Sequence, residues 1–419
     1  MSDPITKILA REVLDSRGNP TVECEVFSEK GHGRFIVPSG ASTGEYEAVE
    51  LRDGDNRFHG KGVLKAVNNI KNVLAPKVIG HDVLDQEGLD KMMIELDGTK
   101  NKANLGANAI LGISIAAAKA RAKSMGVPLY ASLGDSTRLP TPSLNVINGG
   151  KHAGGDLAVQ EFMIMPIGFD TFREALRGSS EVYHSLKSFL KKTYGSTSIN
   201  VGDEGGFAPP IDQASDALKA LDHAVSEAGY TMNKDFFVAI DSAASEFFSN
   251  NSYHIDGKDL SAGELVDYYV DLQKQFPFLI SIEDPFDEND YQSFADLVKK
   301  IGSHTAIVAD DLTVTNVDRI KDAINHGSMN YLLLKVNQIG TLTEARSAFD
   351  LTKSKNWGVV ISHRSGETED TFIADLAVGW GAERIKTGAP ARSERVSKYN
   401  QLMRIEEELG DISEYYHSK

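Results

Sequence analysis

Six short apolar runs in the second half of this chain each end in a residue able to bind a cation or move a proton. They are Asp241 after "FFVAI", Glu283 after "FLISI", Asp310 after "TAIVA", Lys335 after "YLLL", His363 after "GVVIS" and Lys386 after "AERI". From Glu283 onward the spacings are 27, 25, 28 and 23 positions, each the length of one strand plus one helix. Closing such units into a barrel gathers all six ends around one mouth, where barrel active sites form. Taken singly, an acid after a strand is most often a helix cap or a solvated turn, and a lone lysine most often snorkels to water. Six in consecutive units point to a site.

Three carboxylates with no cysteine and no histidine-rich spacing among them suit a hard, oxygen-seeking cation. Mg²⁺ is the natural candidate, because it accepts a few protein oxygens together with water and substrate oxygens. The absence of H-E-x-x-H disfavours zinc. Lys335 stands inside the apolar run "YLLLKVN", where an ammonium is costly unless it is paired, reaches water or gives up its proton. A cation one strand away would lower its pKa towards that of a usable base. A lysine base beside a cation-bound carboxylate suits removal of the hydrogen α to that carboxylate, with the cation stabilising the enediolate charge where it develops.

A strand–helix rhythm must position these residues. It implies a mostly parallel sheet covered by helices. Capping-box patterns at Ser261–Glu264 and Thr341–Glu344 open two of the helices, and Leu218, Leu221, Val225 and Ala228 mark another that Gly229 stops. No G-x-G-x-x-G follows a strand and no G-x-x-x-x-G-K-[ST] occurs, so a closed barrel is preferred to a nucleotide-binding open sheet. Ahead of this lies a different pattern. "ITKILAREVL", "TVECEVF" and "GRFIVP" read as strands of a half-exposed antiparallel sheet, followed by the Gly/Ser-rich loop Pro38–Ala48. Val63, Val67, Ile70 and Leu74 give a helix that Pro76 is expected to end, and residues 104–124 a buried helix of small residues. The expected organisation is an α+β domain over residues 1–130, with a mobile lid at 38–48, and a β/α barrel over 138–419.

The chain has 419 residues, 41% hydrophobic and 25% charged, enough to bury a sizeable core. With 44 basic against 60 acidic residues its net charge is −16, which argues against nucleic acid or an anionic membrane as partner. Cys24 is the only cysteine, so no intrachain disulfide forms. The N-terminus carries no long apolar segment, and "AILGISIAAA" is too short to span a bilayer. The expectation is a soluble, cytoplasmic protein without a transmembrane segment.

The strings "DSRGNPTVE", "GDEGGFAP", "IEDPFDEND", "KVNQIGTLTE", "SHRSGETED" and "IKTGAPARSERVSKYNQLMRIEEEL" resemble those of the enolases, from about Ile8 to Leu409. A lysine or histidine base with one or two Mg²⁺ is a known pattern of that superfamily. The resemblance implies a small N-terminal α+β domain, a TIM-like β/α barrel with irregular first strands, and interconversion of 2-phosphoglycerate with phosphoenolpyruvate. It implies two Mg²⁺ per site, the first held by Asp241, Glu283 and Asp310 and the second, arriving with substrate, by Ser39 of the lid. Lys335 would take the C2 proton. Glu204 would protonate the departing C3 hydroxyl, assisted by Glu161 with Gln160 beside it. Lys386 would clamp the substrate carboxylate, Arg364 and Ser365 would hold the phosphate, His363 would line the pocket, and "GGKHAGG" would bring His152 over the substrate. Ala309 stands where family members often have Gly, a change that bears on packing rather than chemistry. The resemblance further implies a homodimer, or an octamer of four dimers.

Two other readings remain open at this stage. Acid-sugar dehydratases of the same superfamily handle substrates without phosphate and do not need the "SHRSG" segment. A scaffold or adhesion role, with a secondary cell-surface or secreted pool, could coexist with catalysis.

Overall fold

The computed structural model describes residues 2–40, 46–150 and 155–417. Strands β1 (Ile5–Leu14), β2 (Pro20–Ser28) and β3 (His32–Ile36) form an antiparallel sheet in the order β1-β2-β3. Val22, Cys24 and Val26 of β2 are fully buried against helix Ala107–Met125. The small residues of that helix are explained by close approach: a Cβ at Gly33 of β3 would lie 2.0 Å from the Ala116 carbonyl oxygen. The preceding helix does not stop at Pro76. It runs Leu64–Asn69, widens into a π-type turn at Ile70–Leu74 and resumes at Ala75–Val78. The wider turn gives a chain without an N–H at Pro76 a way to continue, because the ladder is already re-registered there.

Eight strands close the barrel: β4 (Thr141–Asn148), β5 (Glu161–Met165), β6 (Phe237–Asp241), β7 (Leu279–Glu283), β8 (Ala306–Ala309), β9 (Tyr331–Leu334), β10 (Gly358–Ser362) and β11 (Arg384–Lys386). The six runs noted in the sequence supply β6 to β11. The other two strands were not identified from the sequence, and β5 runs antiparallel to both of its neighbours, so the barrel opens with a hairpin instead of a strand–helix unit. A small hairpin sheet over Phe248–Leu260, also unanticipated, follows β6.

The two domains are fastened by buried polar contacts. Thr341 caps helix Leu342–Lys353 from within, while Asp90 and Ser114 of the N-terminal domain accept the Thr343 and Leu342 amides at 3.0 Å each. Lys102 donates to Glu344 at 2.9 Å, and Lys119 to both oxygens of Asp370 at 2.6 and 2.7 Å. Ser261 and Glu264 make the reciprocal capping box that the sequence predicts. Among the described residues, no helix is long and apolar enough to cross a membrane.

Candidate active site

The C-terminal ends of the barrel strands converge on one polar cavity. Eight carboxylates line it (Glu47, Glu161, Glu204, Asp241, Glu246, Asp284, Asp310 and Asp311) against three permanent cations, Lys335, Arg364 and Lys386. The lysines divide the acids between them. Lys386 Nζ lies 2.8 Å from Asp241, 2.9 Å from Glu283 and 3.3 Å from Glu161, whereas Lys335 donates to Asp310 Oδ2. In the barrel order β9-β10-β11-β4-β5, Lys335 at the end of β9 stands across the barrel from Glu161 on β5. Lys335 opens the single helical turn Val336–Ile339, which Gly340 closes with a φ of 97°. A strand that turns at once into a helix aims the lysine into the mouth.

Charge crowding sets the protonation of this ring. Burial, then the repulsion of Glu204, drives Glu161 well above the usual carboxylate range, and burial with Asp241 does the same to Glu283. Burial also favours the neutral form of Asp310, but the Lys335 ammonium outweighs it and holds that carboxyl low. Burial opposes the charge of Lys335, and Asp310 more than restores it. The protein's own groups therefore keep Lys335 protonated, the reverse of the lowering a neighbouring divalent cation would cause. Asp311 is pushed up to about 7, by burial and then by Asp310.

Cation binding follows from the same imbalance. Among the described residues, the acids whose oxygens lie within 4.8 Å of one another are Asp284, Asp310 and Asp311, not the expected trio. Asp284 has another task, because its two oxygens accept the backbone amides of Asp310 and Asp311 at 2.9 and 2.8 Å. Asp241 and Glu283 instead meet on the Lys386 ammonium. An all-oxygen donor set with a surplus of buried negative charge fits a hard divalent cation.

Glu204 sits within the turn that the Gly205 amide closes on the Gly202 carbonyl, and its Oε2 lies 3.2 Å from both His363 Nε2 and Asn145 Nδ2. Arg395 reaches His363 Nδ1 at 2.6 Å and the Arg364 and Ser365 carbonyls at 2.7 and 2.6 Å. Burial, reinforced by Arg395, lowers His363 to about 4, so the ring is neutral at pH 7. The Arg364 guanidinium is buried and takes both oxygens of Glu47, at 3.0 and 3.2 Å, and Asn337 at 3.1 Å. Ser365 and Gln160 line the same cavity. Ser39 pairs with Gly366 through two 2.9 Å backbone bonds, while its hydroxyl contacts Glu50 and Arg52. His152, and the central part of the loop expected as a lid, lie outside the described residues. Sequence reasoning missed Glu47, Asn145, Gln338 and Arg395. Asn145 and Gln338 stood inside quoted or neighbouring apolar strings, yet nothing in their spacing marked them.

A closed barrel whose mouth gathers a carboxylate ring, a lysine on one wall and an acid pair on the opposite wall has the architecture of a β/α-barrel enzyme. Comparison with known proteins gives the family. The profile described as "Enolase, N-terminal domain" matches residues 5–133, and "Enolase, C-terminal TIM barrel domain" matches 136–419. The enolase of Methanothrix thermoacetophila is 58% identical over 417 residues, covering 99% of this chain and 98% of its own. Those of Thermococcus kodakarensis and Methanopyrus kandleri are each 55% identical, over 98% of this chain and 96% and 97% of theirs. The chain belongs to the enolase family.

Proposed function

We propose that this protein is a phosphopyruvate hydratase, interconverting 2-phosphoglycerate with phosphoenolpyruvate and water. The observation that carries the reading is the position of Lys335 across the mouth from the Glu161–Glu204 pair. A base on one wall and an acid on the other suit removal of the C2 proton from one face of the substrate and loss of the C3 hydroxyl from the opposite face. Lys335 Nζ takes the proton from C2. Glu204 gives a proton to the C3 oxygen as it leaves, and Glu161, held neutral by burial beside it, keeps a proton available in the pair. Neutral His363 steadies the Glu204 carboxylate. Arg364 and Ser365 take the phosphate, Lys386 and Gln160 the carboxylate end, and His152 closes over the substrate from its loop.

Asp241, Glu283 and Asp310 would hold one Mg²⁺ and Ser39 would contribute to a second that comes with substrate. A divalent ion there would supply positive charge that stabilises the substrate carboxylate as C2 loses its proton, and would lower the pKa of Lys335 so that its amine can act as the base. We further place the enzyme in the cytoplasm, as a homodimer or an octamer of dimers. Light scattering on a sizing column reads the oligomer directly. Activity is tested by the ultraviolet absorbance of phosphoenolpyruvate formed from 2-phosphoglycerate. Product should appear with Mg²⁺ and stop with chelator. Turnover of acid sugars in place of 2-phosphoglycerate would overturn the assignment.

A further inference from the structure

The turn that follows Lys335 does more than end a strand. Gln338, 1% exposed, donates through Nε2 to Asp310 Oδ1 at 2.9 Å, and the same nitrogen lies 3.5 Å from Glu47 Oε1. Its oxygen accepts from Thr315 Oγ at 2.9 Å, which fixes the amide with its NH₂ facing the two acids. Glu47 in turn grips Arg364 with both oxygens. The Gln338 carbonyl also receives the Ala48 amide at 2.8 Å, so the backbone beside Glu47 is pinned to the same turn. One buried amide thus stands between the carboxylate expected to hold a cation and the guanidinium expected to hold a phosphate.

We propose that Gln338 is a positioning residue that couples the two ligand sites through the bridge Asp310–Gln338–Glu47–Arg364. This rests on the assignment of Asp310 to the cation and Arg364 to the phosphate. The physical basis is the placement of one amide between two acids: its NH₂ lies 2.9 Å from Asp310 and 3.5 Å from Glu47, so a shift towards either lengthens its bond to the other. A phosphate drawn onto Arg364 loosens the guanidinium from Glu47. Glu47 then takes a larger share of the Gln338 amide, and Asp310 Oδ1 is released to turn towards the cation. The reverse sequence follows a cation bound at Asp310, because linkage between binding sites is reciprocal. The bridge makes phosphate and cation bind with positive cooperativity, beyond the through-space attraction of their opposite charges.

The test measures Mn²⁺ binding by electron paramagnetic resonance, with and without inorganic phosphate, in the parent, Gln338→Met and Thr315→Val. Gln338→Met keeps the volume and removes the donor. Thr315→Val leaves the donor and frees its orientation, so it serves should the first variant fold poorly. In the parent, phosphate should tighten Mn²⁺ about tenfold, within the range of ordinary coupling. Either variant should bring that ratio to about threefold or less, and Gln338→Met, with Asp310 already released, should bind Mn²⁺ alone more tightly than the parent does. A folded Gln338→Met protein that keeps the parent ratio overturns the bridge. A parent that fails to bind Mn²⁺ or phosphate at all overturns the site assignment beneath it.

Discussion

The mouth and the floor of the barrel are both buried and both hold cations, yet they treat them oppositely. Lys386 and Arg384 sit two residues apart on β11, facing the same interior. Lys386 meets three carboxylates, and its ammonium is driven well above the usual lysine range once their attraction outweighs burial. Arg384, 1% exposed, has no hydrogen-bond acceptor among the described residues for any of its three nitrogens and lies 4.4 Å over the Tyr331 ring. Around it Ala306, Val308, Leu333 and Val360 form a separate apolar cluster with Tyr331. The floor is a packing problem solved with aliphatic side chains and a cation–π contact. The mouth collects more negative charge than its own cations balance, and that surplus is what a ligand cation would use. Surplus charge distinguishes a site from a filled core better than burial does.

The largest expected effects lie at the mouth. Lys335→Ala should lower turnover of 2-phosphoglycerate by about 10³-fold or more, near the upper part of the range for removal of a general base. Glu204→Gln should lose net turnover to a similar degree and still exchange the C2 hydrogen with deuterated solvent, read by NMR. Equal loss of both signals in Glu204→Gln would undo the division of labour between the two residues. Next in size comes Lys386→Met, which leaves Asp241, Glu283 and Glu161 facing one another without their shared partner. Chelated protein carrying it should be destabilised by about 3–5 kcal/mol, the usual cost of breaking a buried pair. Added Mg²⁺ should restore more stability to the variant than to the parent. Equal Mg²⁺ responses in thermal unfolding would mean that lysine and cation do not share those oxygens.

The parts legible in the sequence were those with a period or a chemically distinctive end. Six barrel strands announced themselves as apolar runs closed by a polar residue, and the capping residues Ser261 and Thr341 marked helix starts correctly. Strand β4, every residue of which is buried, escaped because "TPSLNVIN" mixes Pro, Ser and Asn into the run. Asn145 and Asn148 of that run gather beside Gly206, where Asn145 meets Glu204, so chemistry disguised the strand. Strand β5 is a five-residue run that breaks the parallel rhythm. Pro76 misled for a local reason: a π-type turn carries the helix past it. Glu47 and Gln338 could not be found by spacing, since their roles depend on a contact between domains, 291 positions apart in the chain. Burial of charge was likewise invisible: among the protein's own groups, Asp310 outweighs the burial of Lys335 and keeps its ammonium charged.

A smaller effect tests the mouth through pH. His363 is lowered to about 4 in the folded protein, below its ordinary 6.5, with burial as the leading cause. The unfolded chain therefore binds more protons between those values, and the stability this neutral ring supplies above pH 6.5 is lost as pH falls towards 4. Linkage gives a loss of about 2 kcal/mol between pH 7 and 5 from this group alone. Urea titrations at the two pH values should show that loss in the parent and a correspondingly smaller one in His363→Gln. Identical losses would place the titration elsewhere in the acid ring.

The smallest change belongs to the floor. Arg384→Met removes a charge that no acceptor among the described residues pairs, and fills nearly the same space. The desolvation saved should exceed the cation–π energy lost, and replacing buried charge by well-packed apolar volume is often stabilising by about 1–4 kcal/mol. A gain near the lower end is expected, about 1 kcal/mol, with turnover within about twofold of the parent because the mouth keeps its own charges. Calorimetry decides the sign and a kinetic assay the rest. A destabilised but active variant would show that the floor guanidinium has found an acceptor. A stable but inactive one would show that its charge is felt by the acids above, and would merge the two regions that the structure keeps apart.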